Sequence, residues 1–114
     1  MHRRDMRCQL KLRCMTEIQI FKALSNPIRL EILQWLKTPE EHFPPHQEVE
    51  GFGQGVCVAF IQAKTGLSQS ATSQYMSLLH QAGLVTPTRI GKWTYYRRNE
   101  ETIEAFADYT STRL

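Results

Sequence analysis

No apolar run in this chain approaches the ~20 residues that a helix needs to cross a bilayer, so a helical membrane span is excluded. The N-terminus is basic, but no apolar stretch follows it, and the pattern of a secretory signal is missing. Cysteine is scarce. Cys8, Cys14 and Cys57 form an odd, widely spaced set that does not make a disulfide framework. These absences together set the expectation of a reduced, cytoplasmic protein. There is no internal repeat and no long low-complexity tract. Nucleophile motifs are also missing. Residues 51–55 (GFGQG) are glycine-rich, but they follow a Pro- and Glu-rich stretch and lack the spacing of a dinucleotide loop. An enzyme is not expected.

The absence of one charge sign is more telling. Residues 51–99 contain Lys64, Arg89, Lys92, Arg97 and Arg98 and no Asp or Glu. The acids gather in residues 40–50 and 100–108. The formal net charge over 114 residues is only +3. Residues 1–14 carry Arg3, Arg4, Arg7, Lys11 and Arg13 against Asp5, so the remainder is nearly balanced. One half of the domain is thus positive where it can face phosphates. A chain of this length fits one small domain, which buries roughly 60–70% of its unfolded surface. A dimer interface would hide helix faces that such a monomer exposes.

The expected organisation is a basic arm over residues 1–14 and one domain over residues 15–114. Met15 is an alternative start, since the periodic pattern begins just after it. Residues 16–24 read as a helix with Ile18, Phe21 and Leu24 on one side. Asn26 and Pro27 then open a second helix, as N-cap and first helical residue. Ile28, Ile32, Trp35 and Leu36 follow at helical spacing, with Leu30 and Leu33 widening the apolar surface, so this helix is expected at the buried centre. Residues 38–54, about 17 in all, read as a long Pro- and Gly-containing connection. A third helix is expected over 56–64, with Val56, Phe60, Ala63 and Leu67 as one stripe.

Gly66 can end that helix and Ser68 can cap the next, over 69–82. Thr72, Met76 and Leu79 fall on one face of it and Gln69, Ser70, Ser73, Gln74, Ser77 and His80 on the other. Two strands, 85–89 and 93–97, form a hairpin around Ile90, Gly91 and Lys92, with Pro87 suited to an edge. Asn99 caps a last helix through about Thr110. The fold class is therefore mainly α with a small β-hairpin (α+β). Four helices, two strands and a fifth helix follow one another.

Helices 56–64 and 69–82, joined by a short glycine-containing turn, make a helix-turn-helix. In that geometry the second helix enters the major groove by its N-terminal part. Gln69 and Gln74 suit an adenine edge, Ser70 and Ser73 a base or phosphate, and the Ala71 methyl a thymine. Ser68, Tyr75 and Ser77 complete the candidate face, and Arg89 and Lys92 at the hairpin tip suit phosphate or minor-groove contacts. Tyr75 has two readings, a hydroxyl on phosphate or a ring against the body. The partner read from these residues is double-stranded DNA. The alternative is an interaction module that binds only protein.

FKALSNPIRLEIL (21–33), GLSQSATSQYMSLLHQAGLV (66–85) and GKWTYYR (91–97) occur in the order and spacing of the ArsR/SmtB family, which the chain strongly resembles over residues 16–109. The resemblance implies a winged helix-turn-helix and a cytoplasmic homodimer that represses by holding an operator and is released by an effector. It also implies that the first and last helices form the dimer interface, here through Ile18, Phe21, Ile103, Phe106 and Thr110. Arsenic-sensing members carry a Cys-Val-Cys pair on the third helix. Here Cys57 keeps the first position and Ala59 replaces the second. One thiolate cannot hold a metal alone, since such sites need three or four ligands. Cys57 is read as a small apolar filler or a thiol sensor, and a set with Cys8 and Cys14 is a further option. The last helix lacks His, against the family's zinc site there. His42 and His46, with Glu48 and Glu50, are a weaker loop-site reading, because Pro44 and Pro45 forbid the helix that would align them. No cofactor is assigned, and a metal or thiol-reactive effector is left open.

Overall fold

The computed structural model describes residues 16–114. The expected arm, with Cys8 and Cys14, lies outside them. Helix α1 runs through residues 16–24. Helix α2 (Pro27–Lys37) starts where the sequence places it: Asn26 Oδ1 accepts from the Ile28 and Arg29 amides at 2.9 and 3.1 Å, and Pro27 occupies the first turn. Helix α5 (Gln69–Gln81) ends at the expected turn, and α6 (Glu100–Arg113) continues three residues past the expected Thr110.

Two elements differ from expectation between α2 and α5. The long connection contains a short helix, α3 (Pro39–His42), begun by Pro39 and carrying Glu40 and Glu41 in its first turn, where the helix dipole favours acids. The third expected helix starts two residues late. Val56 and Cys57 form a strand, β1 (Val56–Cys57), and α4 (Val58–Thr65) begins only after it. The reason is tertiary: Val56 lies opposite Tyr96 and Cys57 opposite Tyr95 on a strand far along the chain. The stripe changes with the start. Ile61 is the buried residue of α4, Phe60 is half-buried and Ala63 is exposed.

Strands β2 (Val85–Ile90) and β3 (Trp93–Arg98) form the hairpin, and β3 is the middle strand of an antiparallel sheet in the order β1-β3-β2. Its register runs from Val85 opposite Arg98 to Ile90 opposite Trp93. Pro87 sits on the edge strand β2, where the missing N–H interrupts no ladder on its open side.

The core collects side chains from four helices and the sheet, among them Ile20 of α1, Ile32 of α2, Ile61 of α4, Met76 and Leu79 of α5, Val56, Val85 and Tyr95 of the strands, and Leu84 just before β2. Each large apolar side chain removed from water contributes about 1.5–3 kcal/mol. Helix α2 is central but not enclosed. Ile32, Leu33 and Leu36 are buried, whereas Leu30 faces outward. Trp35 meets Phe43 edge-on at 6.2 Å between centroids, and Lys64 stands 5.0 Å over the Trp35 ring, so the connection is folded back onto α2 and α4.

The connection reaches β1 through Gly55. Its φ is +111°, and a Cβ there would collide with the backbone of Tyr96 and Arg97. Only glycine lets the chain approach β3 this closely. Gly55→Ala is expected to lower unfolding stability by about 1–3 kcal/mol from backbone strain alone. A urea titration checks this, and an unchanged midpoint would disprove the close-approach argument.

Candidate nucleic-acid interface

The turn between α4 and α5 is built from local hydrogen bonds. Gly66 adopts the left-handed conformation (φ +73°) and its amide donates to Gln62 O at 3.0 Å, which ends α4. Thr65 Oγ1 accepts from the Leu67 amide at 3.3 Å. Ser68 Oγ then accepts from the Ala71 amide at 3.1 Å and caps α5, while Thr72 Oγ1 donates back to Ser68 O at 2.9 Å. These contacts set the angle at which α5 leaves the body.

Helix α5 divides as its periodicity predicts. Thr72, Met76 and Leu79 are buried against the core. Gln69, Ser70, Ser73, Gln74, Ser77 and His80 are exposed. Ser68 is exposed too, but its hydroxyl oxygen is engaged in the cap, and Ser77 Oγ accepts from Gln81 Nε2 at 3.3 Å. Tyr75 is half-buried, and both its ring and its hydroxyl meet residues of the body. Asn26 Nδ2 donates to the Tyr75 hydroxyl at 3.4 Å, and the Arg29 guanidinium lies 5.1 Å from the ring centroid. Arg29 is itself anchored by Nε donating to Ala23 O at 2.7 Å. Sequence reasoning missed this bracket, because Asn26 and Tyr75 are 49 residues apart and neither pattern marks the other.

The hairpin tip presents two of the stretch's cations. Arg89 Nε donates to Gly91 O at 3.1 Å, and Lys92 Nζ stands 5.4 Å over the Trp93 ring. Both residues are exposed, as is Arg97. The other two cations of the acid-free stretch are committed elsewhere. Lys64 lies over Trp35 and Phe43, and Arg98 pairs with Glu100 at 3.0 Å. The basic half is therefore narrower than the count of residues implied.

Cys57 is buried and its thiol is free. Among the described residues no three His, Cys, Asp or Glu side chains come together in a way that could hold a metal ion. The loop reading of His42 and His46 fails on geometry. His42 lies by Trp35, while His46 is buried and spends both ring nitrogens on the backbone, one toward Gly51 O at 3.0 Å and the other accepting from the Cys57 amide at 3.1 Å. Burial pushes the Tyr95 phenol above its ordinary value of 10.0, with Cys57 and Glu48 adding to the effect, and burial also raises Tyr96. Both tyrosines stay neutral at physiological pH.

A separate surface lies where α1 meets α6. Ile18 is 50% and Phe21 42% exposed. Phe21 meets Phe106 edge-on at 5.1 Å, and Ile103, Phe106 and Thr110 are half-buried. No residue of α6 is buried, although the helix is 14 residues long.

Compared with known proteins, the chain is 50% identical over 100 residues to YbzH of Bacillus subtilis, an uncharacterised HTH-type transcriptional regulator, covering 88% of this chain and 100% of that protein. It is 37% identical over 87 residues to ArsR2 of Halobacterium salinarum, a putative arsenical resistance operon repressor, covering 76% of this chain and 62% of that one. The chain belongs to the ArsR/SmtB family of winged helix-turn-helix transcriptional regulators. Within that family, the wing is β2–β3 and the helix-turn-helix is α4–α5. A solved relative is the homodimeric winged helix-turn-helix DNA-binding domain of Mb0332 from Mycobacterium bovis, a possible ArsR-family regulator. It is 27% identical, with a TM-score of 0.62 over 89% of this chain and 82% of that one. No protein-family model matches the chain. None of the described helices is long and apolar enough to cross a membrane.

The cap of α5 gives a direct test. Ser68→Ala removes one hydrogen bond from the helix start and is expected to cost about 1 kcal/mol of unfolding stability. Ser68→Asp, which restores an acceptor, is expected to recover most of it. Equal urea midpoints for the two variants would refute the capping role.

Proposed function

We propose that this chain is a homodimeric, sequence-specific repressor that acts in the cytoplasm and holds its operator with two copies of α5 and two wings. The observation that carries the reading is the outward face of α5. Gln69, Ser70, Ser73 and Gln74 add nothing to the core, yet they form a continuous hydrogen-bonding surface at the N-terminal half of the helix. Glutamine amides read adenine in two hydrogen bonds, and each such pair discriminates by about 1–3 kcal/mol. Ser68, Tyr75 and Ser77 border this face, with Tyr75 held by Asn26 and Arg29. Arg89 and Lys92 add phosphate or minor-groove contacts from the wing.

Dimerisation supports the same reading. No residue of the 14-residue α6 is buried, and its apolar edge at Ile103 and Phe106 is only partly covered by its own protomer, while helices of this length are marginal in isolation. Ile18, Phe21, Ile103, Phe106 and Thr110 supply a face that a second copy would cover. Two α5 helices then engage half-sites about one helical turn apart, roughly 34 Å. An effector need only favour a protomer angle at which both helices cannot enter the groove. Cys57 is a poor direct target for a thiol reagent, because it is 4% exposed.

Selection of duplexes from a random pool by the full chain tests the proposal. Recovery of a sequence with two-fold symmetry is expected, and recovery of no duplex above background would sink it. Gln69→Ala with Ser73→Ala is expected to relax sequence choice. Lys92→Ala is expected to weaken all duplexes alike and lower the salt slope by about 1. Phe21→Asp is expected to shift sedimentation from dimer to monomer and to abolish tight binding with it. A monomeric variant that still binds the selected duplex at full affinity would separate dimerisation from reading.

A further inference from the structure

We propose that His46 is a proton-sensitive positioning residue that latches the connection between α3 and β1 to the first helix of the DNA-reading unit. Its ring is buried, stacked on Phe60 of α4 at 5.0 Å and 18°, tilted against Phe52 at 4.8 Å and edge-on to Tyr95 of β3 at 5.2 Å. The hydrogen bonds fix its protonation state. A backbone amide can only donate, so Nε2, which receives the Cys57 amide, carries a lone pair. Nδ1 therefore carries the proton and donates it to Gly51 O. The ring is the neutral Nδ1–H tautomer.

The position gives this leverage. Cys57 is the last residue of β1 and the N-cap of α4, and its side chain makes no capping hydrogen bond. Its amide is held by His46 instead. A second proton on Nε2 would set an N–H against the Cys57 N–H, and a buried amide left without an acceptor costs about 1–3 kcal/mol. That cation would sit among the Phe52, Phe60 and Tyr95 rings. Of the titratable groups that meet the ring, Tyr95 comes from β3 and Cys57, through its amide, from β1; α4 packs the Phe60 ring on it, and Glu48 of the connection acts on Tyr95. Tyr95 is held neutral by burial, and its hydroxyl has no hydrogen-bond partner. Protonation thus frees residues 46–55 from β1 and loosens the start of α4, and with it the turn that aims α5. The latch rests on the DNA-reading role of α5 for its effect on binding, and on geometry alone for its existence.

The test has two arms on the full chain. In long-range 1H–15N NMR, His46 is expected to carry its proton on Nδ1 near neutral pH. When acidification protonates the ring, the Cys57 amide and the first turn of α4 are expected to shift together with it. A proton on Nε2 at neutral pH, or a Cys57 amide that does not move when the ring titrates, overturns the latch. In the second arm, binding to the duplex selected by the wild-type chain is followed over the same range in wild type and His46→Gln, whose amide oxygen can accept from Cys57 but takes up no proton. Gln should bind like wild type near neutral pH. Wild type should lose about tenfold more affinity than Gln on acidification, the equivalent of one buried hydrogen bond. Identical pH profiles overturn the coupling to reading. His42 and His80 are present in both proteins, so the comparison isolates position 46. If no duplex is selected at all, the reading of α5 falls, and the NMR arm alone decides the latch.

Discussion

The pairing of two residues, Val56 and Cys57, with the middle of β3 is the constraint on which the rest of the molecule depends. Through it the strand that leads into α4 joins the two strands of the wing in one sheet. Without β1, α4 and α5 would hang on a hairpin that is marginal by itself, since an isolated two-stranded ribbon has little stability in water. With it, Tyr95 can sink fully into the core between the elements. The close approach at Gly55 and the hydrogen bond from the Cys57 amide to His46 both serve this junction.

The second constraint is incomplete burial. The core is continuous through α1, α2, α4, α5 and the sheet, but it stops short of α6. That helix keeps only its inner apolar edge, Ile103 and Phe106, against the body. Exposed Ile18 and Phe21 stand beside it. In a domain this small the surface-to-volume ratio leaves apolar helix faces over, and a second copy is the economical cover for them. Stability and two-site DNA reading would then depend on the same contact.

Much of this was legible in the sequence wherever the determining forces are local. Asn26-Pro27 and Ser68 mark helix starts by cap chemistry, Gly66 marks a stop, and the split of α5 into buried Thr72, Met76 and Leu79 and exposed polar residues follows from a period of 3.6. The family motifs span the same elements, and the fold agrees with them. What escaped depends on partners distant in the chain. Val56 and Cys57 look helical by spacing and become strand because β3 offers them a ladder. Ala63 completes an apparent stripe and is exposed, while Ile61 beside it is buried. Lys64 and Arg98 count toward a basic face and are spent on aromatic rings and on Glu100. His46 sits after two prolines, in a stretch that reads as loop, and nothing local shows that it is buried. The candidate contacts on α5 were legible for the converse reason: they are the residues that the core does not use.

That division of α5 has an evolutionary side. Its inward residues and its bracket at Tyr75 carry the packing, and its cap at Ser68 carries the start. The outward glutamines and serines carry none of these. Substitutions at surface positions away from packing and caps usually change stability by less than about 0.5 kcal/mol. A gene duplicate could exchange Gln69, Ser70, Ser73 or Gln74 one at a time without approaching the stability threshold that eliminates most mutants. The scaffold thus leaves the face proposed to read DNA the freest to drift, and on that proposal new binding preferences lie a few neutral steps away.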